Sequence, residues 1–427
     1  DSLYHAYYTQ NLYVKNYHTQ YYKRWKRSVG RYINDAGFVE MPSAEQENAL
    51  NADMNNKRLA LKNSRSADWS PIGPYIVYDN QNNAISQQTN VYSLAQCATV
   101  PAVLYSGTEP GEIFKSADGG LSWTCVSENV TITSGVGAIA VANGNPDTVL
   151  AGSGNALYRS TDGGQTWTTL ISASGLNVME ILIHPANSQI ILVASWSGLL
   201  KSTDGGTTFQ TVISKPCYDV KMRPGSNAVV YALCGNSATK MAEFYLSTDT
   251  ASVFTLQTSG WYSSSDQDRN DGGGRIAVSP ADPLRVYAYL IGEAKANDYG
   301  FIGVFRSNDG GVSWTLPNGP AGGPYTSAHP NLAYGTTDWT YHQGYYNCAI
   351  IADKNDANKI LIGGLNCWRS NDGGATFSSV AGYVGGPLNM HVDMQDFRET
   401  ATDSWITTDG GIYHSSDFFQ TQPLVKN

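Results

Sequence analysis

From residue 69 onward, short apolar runs alternate with clusters of Gly, Asn, Asp and Pro. The runs come in pairs: GAIAVAN (137–143) with TVLAGS (148–153), VMEILIHP (178–185) with IILVAS (190–195), and CYDVKMRP (217–224) with AVVYALC (228–234). Apolar runs this short, bounded by turn formers, predict strands joined as antiparallel hairpins. None approaches the ~18 residues of a membrane-crossing helix. A helical signature precedes the strands, in SAEQENALNADMNNKRLALK (43–62), where Ser43 and Gln46 form a capping-box pattern.

One phrase, Ser-x-Asp-Gly-Gly-x-(Ser/Thr)-(Trp/Phe), punctuates the strands. It starts at Ser116, Ser160, Ser202, Ser307 and Ser370, with altered copies at Ser247 and Ser415. The seven starts are 44, 42, 45, 60, 63 and 45 residues apart. That period fits four short strands plus turns, the signature of a β-propeller. The Asp accepts N–H bonds within its own turn, Gly-Gly supplies positive φ, and the aromatic residue packs between sheets. Each copy therefore reads as a folding staple on an outer hairpin rather than as chemistry. Blade one runs from about Asn90 to Cys125, and blades four to seven begin near Cys217, Arg275, Tyr345 and Asn389. The expected fold class is all-β, a seven-bladed propeller of four-stranded antiparallel blades over 69–427, behind a partly helical arm, 1–68. Asp68–Val77 (DWSPIGPYIV) reads as an outer strand that could close the ring on the final blade.

Charge divides the chain at the same place. Residues 1–68 hold ten Lys/Arg and seven Asp/Glu, a net of +3, and eight of the first 32 residues are Tyr; the remainder nets −12, giving −9 overall. Tyr21–Ile33 (YYKRWKRSVGRYI) mixes bases and aromatics as nucleic-acid binders do, or it lies across an acidic body; the second reading is preferred, so no nucleic acid is expected. With 43 Gly, 27 Tyr and only 15% charged residues, the composition is that of a turn-rich extracellular β protein, without membrane insertion. A start at Asp1 suggests a form processed by signal-peptide removal. The six cysteines fall in three pairs along the chain. Cys217 and Cys234 face each other across a predicted hairpin and are expected to form a disulfide; Cys97 with Cys125 and Cys348 with Cys367 are either further bridges or buried thiols.

The repeated phrase makes the chain resemble the Asp-box (BNR) repeat propellers, a group that includes sialidases, xyloglucanase-type glycoside hydrolases and sortilin-type receptors. Enzymes and non-enzymes share the motif, so the resemblance implies the fold and leaves activity open. His342–Gly374 and His391–Asp417 look, more narrowly, like the last blades of surface proteins of Bacteroidota exported by the type IX system, which implies a secreted or surface location. Asp1-Ser2-Leu3, Asp147-Thr148-Val149 and Asp249-Thr250-Ala251 match the O-glycosylation pattern of that group, and Asn129-Val130-Thr131 is a sequon for a eukaryotic secretory pathway.

A sialidase-like site needs three converging arginines, yet Arg159, Arg306 and Arg369 precede boxes and no Arg-Ile-Pro entry occurs. A xyloglucanase-like site needs two carboxylates across a cleft, which such enzymes place between two propellers. Asp338, Asp393 and Asp396 are the carboxylate candidates, with His391 two residues from Asp393 and on the same face of an expected inner strand. The bland alternative for that pair is a hydrogen-bonded cluster fixing the strand. In Ser259–Arg275, Asp266, Asp268 and Asn270 have the spacing of a calcium loop, but Asp271 stands where Gly is expected and no acid occupies the twelfth place. A solvated loop is the alternative, and no cofactor is required. Trp261, Tyr262, Tyr325, Trp339, Tyr341 and His342 lie in or beside two long insertions, where propeller binding sites form. The expectation is a binding or assembly module for protein or glycan, with a glycoside hydrolase as the alternative and a structural subunit docked through the basic arm as a third.

Overall fold

Seven antiparallel blades follow one another along the chain, each built from consecutive strands. The structure is a computed structural model. It describes residues 2–11, isolated positions between 19 and 43, and 77–78, 84–85, 90–239, 241–261, 273–291, 301–318 and 346–426. Six blades have four strands; the fifth has three, with the single bridge Arg306↔Thr315 where a fourth would run. The chain divides into two compact units, Asp1–Gly73 and Pro74–Asn427. In the first, Ser2–Gln10 is a helix, with Tyr4 and Tyr8 one turn apart at 4.7 Å between ring centroids and Tyr4 stacked on Tyr22 at 3.6 Å. The helix expected within 43–62 lies outside the described residues.

The inner strands are Val91–Gln96, Val136–Ala142, Val178–Ile183, Cys217–Met222, Gly273–Ser279, Ala349–Ala352 and Met394–Glu399. The boxes join the third and fourth strands, as their sequence implies. In all seven copies the box serine donates to the box aspartate at 2.7–2.8 Å. Asp118 also accepts from the backbone of Leu121 and Ser122 and from the Ser122 hydroxyl, and these bonds, those from Ser122 foremost, hold its carboxyl at about 2. The altered copies keep the backbone without its glycines: Thr250, Ala251, Phe418 and Phe419 all lie at φ near +60°. In those two copies the rest of the turn, with its serine–aspartate bond, holds residues in a conformation that Gly would take freely.

Close packing between blades depends on a second-strand position. Gly107, Gly152 and Gly363 pair with Ser93, Ala138 and Ala349. A Cβ on Gly107 would lie 2.5 Å from Val136, and one on Gly152 would lie 2.4 Å from Val178 of the following blade. Larger side chains fill the other junctions, notably Phe244, Trp261, Phe305 and Trp314 between blades four and five. Trp261 is 8% exposed and donates its indole N–H to Ala242 O at 3.0 Å. It is therefore a core residue and not a surface-binding aromatic, because the insertion departs only after this side chain has been anchored.

Two expectations about strand partners need correction. Blade seven takes its fourth strand, Leu424–Lys426, from its own end of the chain; of the segment expected to close the ring, only Val77 is described, and Val77–Tyr78 pairs with Ala84–Ile85, while 68–76 lie outside the described residues. Among the cysteines, only Cys217 and Cys234, direct partners in register, form a disulfide. Cys348 precedes an inner strand while Cys367 lies on the third strand, with Ile360–Gly363 between them. Cys97 follows the innermost strand of blade one and Cys125 ends its outermost. Strands two or three places apart are separated by roughly 10 Å or more, beyond disulfide reach. All four thiols are free.

Candidate functional site

Two polar sites occupy the centre of the ring. The first grows from one position of the inner strand, immediately after a bulge in five of the seven blades. Around the ring that position holds Ser93, Ala138, Glu180, Asp219, Arg275, Ala349 and Asp396. Two residues further along the same strands, Lys221 and Arg398 share the face of Asp219 and Asp396. Glu180 meets Lys221 at 2.8 Å and Arg398 at 3.2 Å; Lys221 also meets Asp219 at 2.8 Å. Burial alone would raise the Glu180 carboxyl, but Arg398 and Lys221 hold it well below the usual range. Three acids face three bases here, counting Arg275, whose charge also reaches Glu180.

Several of these side chains also stitch blades together. Ser93 donates to Val136 O at 2.7 Å, Asp219 accepts from Ile276 N at 2.7 Å, and Asp396 accepts from Leu94 N at 3.1 Å. The last of these joins blade seven to blade one. Asp396 is thus the ring-closing acceptor, and its Oδ2 that takes Leu94 N is also held by Arg398 Nε at 2.8 Å.

The second site lies at the channel mouth, on the face opposite the boxes. There the hairpin joining second and third strands carries Glu109, Gly154, Trp196 and Asp409 at equivalent tips in blades one, two, three and seven. Asp409 accepts from Tyr346 OH at 3.1 Å and from Gln395 Nε2 at 2.5 Å, and Tyr92 OH donates to Tyr346 OH at 3.2 Å. The two tyrosine rings meet edge to face at 5.5 Å. Asp393 precedes the inner strand of blade seven with φ at +63°, and its backbone O accepts from Asp409 N at 3.2 Å. Its Oδ1 is buried and has no hydrogen-bond partner among the described residues. Burial first, then the Asp409 carboxylate, pushes Asp393 up to about 6 against the pull of His391. Asp409 is raised too, by burial, against the hydrogen bonds from Gln395 and Tyr346.

The candidates read from sequence thus separate. His391 and Asp393 do not share a strand face, because the strand begins at Met394; His391 turns its Nδ1 to Val392 O at 2.9 Å. They still belong to one cluster, while Asp396 belongs to the channel. Asp338, Tyr325, Trp339, Tyr341 and His342, with Tyr262, Asp266, Asp268 and Asn270, lie outside the described residues. Tyr92, Glu109, Tyr346, Gln395 and Asp409 were not singled out. Asp409 carried a signal: its Asp-Gly-Gly falls six residues before the box at Ser415, out of phase with the repeat.

The titration of Asp393 has a stability consequence whose sign is fixed. Between the ordinary aspartate value and about 6, the folded state keeps a proton that the unfolded chain has released. Stability therefore falls as pH rises through that window and stays at the lower level above it. Asp393→Asn, which tolerates the same backbone angle, is expected to flatten that fall and to be more stable than the parent at pH 7. Urea midpoints at pH 4, 5, 6 and 7 check this, and a steeper fall in the variant would refute the assignment.

Comparison with known proteins supports the fold. The BNR/Asp-box repeat family matches residues 158–169. No curated protein sequence matches the chain. Among solved structures, a GH74 xyloglucanase from Xanthomonas campestris is 15% identical with a TM-score of 0.54, covering 78% of this chain and 52% of that one. An ancestral GH74 enzyme is 18% identical with a TM-score of 0.58, over 82% and 46%. An extracellular domain from B. thetaiotaomicron, described as part of a hybrid two-component system, is 11% identical with a TM-score of 0.51, over 80% and 39%. The chain thus spans about half the length of the GH74 enzymes, and at these identities the likeness is one of fold. No helix among the described residues is long and apolar enough to cross a membrane.

Proposed function

We propose that the chain is the recognition module of a secreted or cell-surface protein and binds a protein or glycan ligand at the channel mouth, on the face opposite the boxes. One observation carries this reading. The strand ends that flank 262–272, 292–300 and 319–345 all lie on that face, which also bears Asp393, Asp409 and the half-exposed Trp196. Insertions confined to one face of a rigid scaffold are the usual way in which propellers acquire ligands. Among the described residues, the acids and bases of the channel below pair with one another.

The hydrolase alternative has a specific observation in its favour, two carboxyl groups close enough to interact, of which Asp393 is pushed up to about 6 by burial and by Asp409. A glycan array and a peptide array, each followed by mass spectrometry of the ligand, separate the two. Binding without new products, weakened by Asp393→Asn, supports recognition. New reducing ends that vanish in Asp393→Asn would establish hydrolysis instead, and no binding to either array would count against the proposal.

A further inference from the structure

We propose that Trp196 is a stacking platform for a neutral oligosaccharide, seated on a ledge that blades two and three build on the channel-mouth face. This rests on the reading of that face as the ligand-binding face and commits it to a glycan at a named place. Four segments reach the face in this sector: 130–135 and 172–177, which lead into the inner strands of blades two and three, and the hairpin tips 153–155 and 195–198. Hydrogen bonds tie them into one ledge. Ser153 Oγ donates to Ser134 O at 2.7 Å, Gly175 N to Asn155 Oδ1 at 3.0 Å, Ser197 Oγ to Gly175 O at 3.1 Å, and Trp196 N to Leu176 O at 2.9 Å. The backbone thus fixes Trp196 in place before any ligand arrives, while the residue stays 53% exposed.

A single exposed apolar residue is ordinary; the ledge around this one sets it apart. Residues 130–135, 153–155, 172–177 and 195–198 contain no Asp, Glu, Lys, Arg or His, in a chain that is 15% charged. The exposed positions that share the ledge with Trp196 are Asn155, Ser174, Gly175 and Ser197. Their amide and hydroxyl groups both donate and accept, and Gly175 faces open space, since a Cβ there would meet nothing within 4 Å. Asn155 commits its Oδ1 to Gly175 N and keeps its amide N–H donors for a ligand. An aromatic face edged by neutral donors and acceptors matches a pyranose ring, which is apolar on its C–H face and ringed by hydroxyls. A charged peptide finds no counter-charge here. A folded protein partner would need a contiguous apolar centre, whereas Trp196 is the one large hydrophobic residue exposed on these four segments.

The test titrates the full chain calorimetrically with cellohexaose, mannohexaose and maltohexaose, each alone. At least one is expected to bind, with an affinity that stays within twofold between about 0.05 and 0.5 M salt, as contacts between neutral groups do. Trp196→Ala is expected to weaken it at least tenfold, and Trp196→Phe, which retains a ring, by about threefold or less. Leu121→Ala, which trims an apolar residue 73% exposed on the opposite, box-bearing face, is expected to leave affinity within twofold. Trp196 joins the ledge through its backbone N–H, so the alanine variant should keep the parent's thermal midpoint, which separates lost binding from lost folding. Sugar binding that survives Trp196→Ala would overturn the site; if Asp393→Asn weakens it instead, the glycan lies at the centre of the mouth and the recognition reading stands. No binding of any of the three sugars would overturn the inference, while binding on the peptide array would keep the recognition reading. Silence from sugars and peptides alike would remove both.

Discussion

Asp396→Ala is expected to cost about 3–5 kcal/mol of unfolding free energy, the range found when one partner of a buried ion pair is removed. The carboxylate has three roles at once: it accepts from Leu94 N of blade one, binds Arg398 Nε, and counters the positive charge that Arg398 shares with Glu180. Removing it orphans a backbone N–H at the junction where the first and last blades meet. Every other junction joins blades that are consecutive in sequence, so a lost contact there is backed by chain connectivity. Asp396→Asn retains an acceptor for Leu94 N and loses only the charge, so it should cost distinctly less than the alanine variant. Guanidinium denaturation followed by circular dichroism checks both. A loss under about 1 kcal/mol for Asp396→Ala would show that packing of Trp405 and Ile412 against Leu94 and Leu104 closes the ring without it. Equal losses for Ala and Asn would mean that the charge, and not the hydrogen bond to Leu94 N, matters.

Asp396 also shows where sequence reasoning stops. The box repeat determines the blade count, the strand order and the blade starts because each box is local: its hydrogen bonds span four residues or fewer. The same locality made Cys217 and Cys234 readable, since a single hairpin sets their register. The other cysteines failed because nearness in sequence was used where strand rank within the blade decides. Bulges defeated strand alternation in the same way, shifting register between Met394 and Asp396, and Asp393 lies outside the strand, which begins at Met394. The mouth was the least legible part. Its members come from blades six, seven and one, with Tyr92 and Tyr346 separated by 254 residues, and no local pattern links them. Trp261 misled for the opposite reason: exposed and buried aromatics look alike beside a polar insertion.

Replacing both Cys217 and Cys234 with Ala is expected to cost about 3 kcal/mol, the chain-entropy value for a loop near the 17 residues closed here. Both cysteines are fully buried at the inner edge of blade four, so two small apolar side chains can take their places without stranding a polar atom, and the loss should fall mainly on the unfolded state. Thiol counting tests the connectivity separately. Denatured without reductant, the chain should release four thiols, and six after reduction; three disulfides would give none before reduction. In the native protein, Cys348 and Cys367 should stay silent toward a thiol reagent, because burial pushes both up to about 12 and only the thiolate reacts. Cys97 is fully buried as well, which leaves Cys125, half-buried at the end of an outer strand, as the first to react. Fast native labelling of Cys348 or Cys367 would mean that blade six opens under native conditions. Because Cys348 directly follows Tyr346 and Asn347 at the mouth, such opening would place the proposed ligand face in the least stable part of the ring.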